Sequence, residues 1–230
     1  MKKVISFSLY GSDTRYTQNA LINSKKAEEI FPDWTVVIYY DNTVPKNVID
    51  FLSSKKHIEM INMENYSIKN KRLWRFSILL DKTVDIYIIR DIDSHLSFRE
   101  KYAVDEWIES KKKFHVMRDH PSHCSFPISC GMWGGRHDIH LGKIFNNTYL
   151  KYNENQYIYD TNLVNNEFWN YIKQDVLVHD SFQLQYYGEC KPFPQKRIGL
   201  EHVGSVILNG KIRECDGKIL SDHLHLEKNR

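Results

Sequence analysis

The chain has 230 residues, 41% of them hydrophobic and 27% charged, which is enough for a proper core in one large domain. Its 32 basic and 29 acidic residues leave a formal charge of +3, too balanced for a dedicated nucleic-acid binder. Four cysteines without CxxC spacing make no disulfide scaffold, and no run approaches the roughly 20 apolar residues that span a bilayer.

The N-terminal apolar run, residues 4–9, is short and holds two serines. It meets Tyr10-Gly11-Ser12-Asp13 rather than a cleavage site, so it predicts a first strand and not a signal peptide. A soluble, cytoplasmic protein is expected. A helical stretch follows from about residue 16 to 31, stopped by Pro32, then a strand at 35–40. Pro45 opens a short helix, 57–61 reads as a strand and 71–80 as a helix. The β-branched and aromatic run 86–89 reads as a buried strand. Ser97-Phe98-Arg99-Glu100 is a capping-box pattern and starts a helix that should reach about residue 110. Residues 114–117 form another short strand. Residues 120–135 are rich in Pro, Ser, Cys and Gly and are expected to form a long functional loop. Helices are expected at 136–145 and 160–172, and strands at 176–178 and 203–208. Alternating strands and helices predict one α/β domain with a mostly parallel sheet. Residues 1–118 would form the nucleotide-binding half and residues 119–230 the sugar and acceptor half.

Chemistry concentrates where the buried strand ends. Asp91 and Asp93 stand two apart there, placed to offer oxygens to one hard cation, Mn²⁺ or Mg²⁺, and through it to a diphosphate. The carboxyl ends of strands are also where α/β sheets hold ligands. Haloacid-dehalogenase phosphatases use a similar Asp-x-Asp, but in the first strand and with different residues after it, so aspartyl-phosphate chemistry is the weaker reading. Trp133 with Gly134 and Gly135 could stack on a sugar ring and admit a ligand close to the backbone. Arg72 and Arg75, three apart on one helical face, could reach phosphate or pair with a carboxylate. Asp160 opens a helix, where a carboxylate also serves plain stability. Asp119 and Asp160 are the candidates for a carboxylate general base.

In order, Ser8-Leu9-Tyr10-Gly11, Tyr40-Asp41-Asn42, Arg90-Asp91-Ile92-Asp93-Ser94, Met117-Arg118-Asp119-His120-Pro121, Gly131-Met132-Trp133-Gly134-Gly135 and His179-Asp180-Ser181 resemble small GT-A-type glycosyltransferases, distantly glycogenin-like. The resemblance covers most of the chain. It implies a GT-A-like domain and a nucleotide-diphosphate-sugar donor, expected to be a UDP-sugar. It also implies a glycan, protein or small-molecule acceptor, and Mn²⁺ or Mg²⁺ on Asp91 and Asp93. The turn at Tyr10-Gly11, with Ser8 and Asp41, would hold base and ribose. Glycogenin-like enzymes take a third metal ligand from a late His-x-x-Gly. This chain departs from that pattern with His202-Val203-Gly204, and His223 stands in reserve. A binding protein with a degenerate transferase fold is the alternative from another functional class.

Overall fold

The computed structural model describes residues 1–228. The first part follows the predicted alternation: β1 (Lys3–Leu9), α1 (Thr14–Ile30), β2 (Thr35–Tyr40), α2 (Lys46–Ser53) and β3 (Ile58–Asn62). A 3-10 helix, Lys71–Leu80, replaces the α-helix expected there and leads to β4 (Ile86–Arg90). Then come α3 (Phe98–Ser110), β5 (Phe114–Arg118), a 3-10 turn at Pro121–Ser125 and β6 (Met132–Arg136). The chain continues through α4 (Ile139–Thr148), α5 (Tyr159–Leu163), a π-turn at Val164–Phe168, α6 (Trp169–Ile172) and β7 (Val176–Asp180). A hairpin of β8 (Ile207–Leu208) and β9 (Lys211–Ile212) precedes α7 (Glu214–His223). No helix among the described residues is long and apolar enough to cross a membrane.

Seven strands make one sheet in the order β3–β2–β1–β4–β6–β5–β7. β6 is antiparallel to both neighbours; the other pairings are parallel. The sheet runs without a break from the first half of the chain into the second. Both of its faces are buried, as a mostly parallel sheet requires. Side chains alternate across β4: Ile86 and Ile88 pack with Ala20, Val36 and Trp107 on one face. Tyr87 and Ile89 pack with Phe76, Phe145 and Phe168 on the other.

β6 corrects the sequence reading of residues 120–135 as a long loop. Gly134 sits opposite both Ile88 of β4 and His115 of β5. A Cβ on Gly134 would lie 2.5 Å from the Tyr87 carbonyl oxygen, and one on Gly135 would lie 2.8 Å from Tyr87 Cζ. The glycines therefore admit a neighbouring strand rather than a ligand. Trp133, just before them, is 0% exposed, with its ring about 6 Å from those of Phe76, Tyr87 and Phe168. It is a core residue, not a platform beside a sugar.

Half of the capping box forms at α3. Ser97 Oγ accepts from the Glu100 amide at 3.2 Å. The Glu100 carboxylate turns inward to a buried ion pair with Arg90. Arg90 also donates to the Trp133 carbonyl at 3.0 Å, which ties the end of β4 to β6 one residue before Asp91.

Candidate active site at the carboxyl end of β4

Asp91 and Asp93 leave the end of β4 in a turn that enters a cleft of about 380 Å³. Elements from both halves of the chain supply its walls: β1, the first turn of α1, the 3-10 helix, α5 and the hairpin. The Asp91 side chain is 45% exposed, and that of Asp93 only 10%.

Arg75 organises the floor. Its backbone is held by two serines of β1: Ser8 Oγ accepts from the Arg75 amide at 2.9 Å, and Ser6 Oγ donates to its carbonyl at 2.7 Å. The buried guanidinium reaches Asp91 and, at 3.0 Å, Asp160. Burial works against its charge, but Asp91 and Asp160 outweigh that and raise its pKa well above the ordinary value. Arg75 therefore stays a cation. Asp160 begins α5 and accepts the Thr161 amide at 2.9 Å.

Arg15 pairs with Asp93 from the first turn of α1, where the Asp13 side chain accepts the Arg15 amide at 2.8 Å and starts the helix. Burial first, and the neighbouring Asp91 carboxylate second, push the Asp93 carboxyl above its usual range; the Arg15 pair does not fully offset them. Two carboxylates thus share one turn, Asp91 partnered by Arg75 and Asp93 by Arg15. Gly131 closes on the same spot, since a Cβ there would lie 2.5 Å from Asp91 Cγ and 2.8 Å from the Asp91 nitrogen.

Two more arginines line the cleft. Arg213 is paired with Asp216 at 2.8 Å. Arg72 meets the neutral Asn155 Oδ1 at 2.7 Å and lies 5.6 Å from the Tyr157 ring. The walls hold four guanidiniums against Asp91, Asp93 and Asp160, a balance suited to an anionic ligand. Tyr10, Tyr16 and Tyr157 add aromatic surface.

Of the residues singled out in the sequence, Ser8, Tyr10, Arg72, Arg75, Asp91, Asp93 and Asp160 come together here. Gly11 and Asp41 do not line the cleft, yet they are linked. The Gly11 amide donates to Thr43 Oγ1 at 2.7 Å, and Thr43 and Lys71 both hydrogen-bond Asp41. Burial favours the neutral acid at Asp41, but the bonds from Lys71 and Thr43 prevail and hold it below the usual carboxylate range.

Asp119 is elsewhere and cannot serve as a base. It is 0% exposed and takes a fork from Arg99 at 2.8 and 2.9 Å, with Arg197 at 2.8 Å, Ser181 at 2.5 Å and the Val203 amide at 2.9 Å. Burial would raise its pKa, but Arg99 and Arg197 win and lower it to about 2. A carboxylate so saturated has no lone pair to offer. His202 belongs to the same interior: its ring stacks on His120 at 4.6 Å, and Nδ1 lies 3.1 Å from the Leu200 carbonyl. His223 lies on α7 with Nδ1 bonded to the Ile219 carbonyl at 2.8 Å. Neither histidine lines the cleft. Among the described residues no group of three or more His, Cys, Asp or Glu side chains is arranged to hold a metal ion. A cation on Asp91 and Asp93 would complete its shell from the ligand and water.

The residues that sequence reading missed are Arg15, Tyr157 and Arg213. Arg15 had a detectable signal: with Asn19 and Asn23 it forms a polar row at four-residue spacing.

No protein-family model and no curated protein matches this chain. Solved structures do. A glycosyltransferase involved in the glycosylation of the major capsid of PBCV-1 superposes with a TM-score of 0.50 at 16% identity, over 78% of this chain and 82% of that one. S. aureus TarS 1–349 gives 0.50 at 12% identity; the match covers 77% of this chain and 58% of TarS 1–349. The 4-diphosphocytidyl-2C-methyl-D-erythritol synthase of Anaerococcus prevotii gives 0.51 at 12% identity, over 97% and 98% of the two chains. At such identities the likeness is one of fold. The chain has a GT-A-like α/β fold.

Proposed function

We propose that this chain is a metal-dependent glycosyltransferase, taking a sugar from a nucleotide-diphosphate donor, a UDP-sugar, and passing it to a glycan, protein or small-molecule acceptor. The observation that carries the reading is the convergence of Asp91 and Asp93 in a cleft lined by four arginines. Two carboxylates at one turn support a hard cation there, which would offset both the burial and the Asp91 charge that raise the Asp93 carboxyl. Bound Mn²⁺ or Mg²⁺ would supply Lewis-acid neutralisation of the departing diphosphate.

The chain's own groups divide the remaining work. Arg72, whose partner is the neutral Asn155, has charge to give a diphosphate oxygen. Arg75 holds Asp91 and Asp160 in one frame. Tyr10 offers a ring to the nucleoside beside the Gly11–Thr43–Asp41 network. Of the two carboxylates considered as bases, Asp160 is the one in the cleft, and it would receive the acceptor proton in an inverting reaction.

A second reading has one observation in its favour. The A. prevotii synthase, named for a diphosphocytidyl product, matches nearly the whole of both chains. The same cleft would then join a nucleotide to a phosphorylated partner. Thermal-shift screening separates the readings. UDP-, GDP- and CDP-sugars and CTP are each added with and without Mn²⁺. A ligand at 100 times its Kd adds about 2.7 kcal/mol, or roughly 5–11 °C for a chain of this size. Stabilisation by a nucleotide sugar that needs Mn²⁺, followed by release of nucleoside diphosphate, supports transfer. Stabilisation by CTP alone favours the synthase-like reading. Binding without turnover favours a degenerate transferase, and no response to any nucleotide sugar sinks the proposal.

A further inference from the structure

Helix α1 buries an unusual face. Arg15, Asn19 and Asn23 recur every four residues and so stand in one row along it. Asparagine is a weak helix former, and a buried amide is unfavourable unless its hydrogen bonds are made. Here both asparagines use both amide hydrogens and Oδ1, and nearly all these bonds go to the segments that build the cleft. Asn23, 1% exposed, donates from Nδ2 to the carbonyls of Ile92 at 3.0 Å and Ser94 at 2.8 Å, while Oδ1 accepts the Leu96 amide at 3.1 Å. One side chain thus splints the turn that carries Asp93.

Asn19 continues the splint toward the C-terminal hairpin. Its Nδ2 donates to the Ile207 carbonyl at 2.9 Å and to the Arg15 carbonyl at 2.7 Å, and Oδ1 lies 2.8 Å from His95 Nε2. The hairpin is stitched to the same turn: the Ile207 amide donates to the Asp93 carbonyl at 3.0 Å, and Ser94 bridges Val206. The Arg213 amide then donates to the Val206 carbonyl at 2.9 Å, and the Arg213 side chain lines the cleft. Arg15 completes the row by holding the Asp93 carboxylate itself.

We infer that the row Arg15–Asn19–Asn23 is the positioning element of the site, fixing the 91–96 turn and the 206–213 hairpin in one register so that Asp91, Asp93 and Arg213 face a common ligand. The inference rests on the proposed function only for what that ligand is. Asn23 is its centre, because no other short side chain offers two donors and an acceptor to three backbone groups at once. Aspartate lacks the donors, and serine has one.

The test uses Asn23→Ala, with Asn23→Ser as the milder variant should the first fail to fold. Leu52→Ala, in the buried face of α2, is a destabilised control that does not line the cleft. Amide hydrogen exchange is followed at Leu96 and Ile207, and UDP and UMP binding with Mn²⁺ is measured by calorimetry well below the melting temperature. Exchange at both amides should rise at least tenfold in the Asn23 variants while β2 stays protected. UDP affinity should fall at least tenfold and UMP affinity less than twofold, since only the diphosphate needs the acidic turn. Leu52→Ala should change neither affinity. Unchanged exchange at Leu96 and Ile207 overturns the positioning role, and so does a parallel loss of UDP and UMP. Should the wild-type protein bind no UDP, the fault lies with the proposed function, and the exchange result still decides the inference.

Discussion

Adding a single methyl group to Gly131 tests the acidic site, and adding the same group to Gly134, nearby in sequence, provides its control. A Cβ on Gly131 would stand 2.5 Å from Asp91 Cγ and 2.8 Å from the Asp91 nitrogen. The Asp91 carboxylate is half exposed and can swing away, which leaves the 2.8 Å approach to the Asp91 nitrogen to be relieved by a backbone shift of a few tenths of an ångström. The stability loss should sit at the low end for an overpacked site, about 1 kcal/mol, or roughly 2–4 °C. The loss in ligand binding should be larger. A displaced Asp91 gives up one charge-assisted contact, worth about 1.5–3 kcal/mol, or roughly 10- to 100-fold in affinity for a nucleoside diphosphate with Mn²⁺. Gly134→Ala reverses the ranking. Its Cβ would lie 2.5 Å from a backbone oxygen of β4 that cannot move aside, so about 3 kcal/mol is expected, or roughly 6–12 °C, with affinity of the folded protein unchanged. Paired urea melts and calorimetry give both quantities. If Gly131→Ala binds Mn²⁺ and UDP as tightly as the parent, Asp91 is not a ligand and the site argument fails.

Asp93→Ala should abolish Mn²⁺-dependent donor binding while the fold persists; unchanged Mn²⁺ dependence in calorimetry would refute the metal assignment. Asp119→Asn should be severe for stability, about 3–5 kcal/mol, because it leaves buried Arg99 and Arg197 facing a neutral group, yet nucleotide affinity at low temperature should stay within about twofold. Asp119 titrates in the fold near 2 rather than 3.8, so the stability it contributes is complete above pH 3.8 and is lost as pH falls toward 2. That difference is about 2 kcal/mol, and acid melts of Asp119→Asn should lack it. His202 behaves in the opposite chemical sense: burial pushes its pKa down to about 4, so the fold favours the neutral ring. Stability tied to His202 is complete above pH 6.5 and falls by about 3 kcal/mol toward pH 4, so His202→Gln should flatten that part of the melting-temperature profile. Phosphomonoesters with Mg²⁺ should release no phosphate above background; release lost on Asp91→Asn would favour aspartyl-phosphate chemistry.

The strands that carry the acidic pair were legible because their physics is local. Residues 86–89 are β-branched and aromatic, and the structure buries both faces of that strand. β6 was not legible because Gly134 and Gly135 look alike whether glycine is needed for a turn or for close approach of a strand. The helix expected at 71–80 came out as 3-10, with the Arg75 backbone bonded on both sides to Ser6 and Ser8 of β1. No local pattern contains that tertiary demand. Asp119 looked like a base for the same reason: its partners, Arg99, Ser181, Arg197 and Val203, are scattered along more than a hundred residues. Arg213 reaches the cleft from beyond a two-stranded hairpin, which no spacing rule links to position 93.

The hub at Asp119 also bears on how the chain is made. Arg99 and Asp119 leave the ribosome early, but Arg197, Val203 and Glu227, which complete the cluster, emerge about 80 to 110 residues later. During that interval a carboxylate and a guanidinium destined for a dry interior have only each other and water. The strands β1 to β4 and their helices can form meanwhile, since their mutual pairings lie within the N-terminal part of the chain. Closure of the interior waits for the last segment to arrive. A nascent chain stalled short of residue 197 would therefore keep a charged seam open to solvent, the kind of surface that holdase chaperones or proteases can engage.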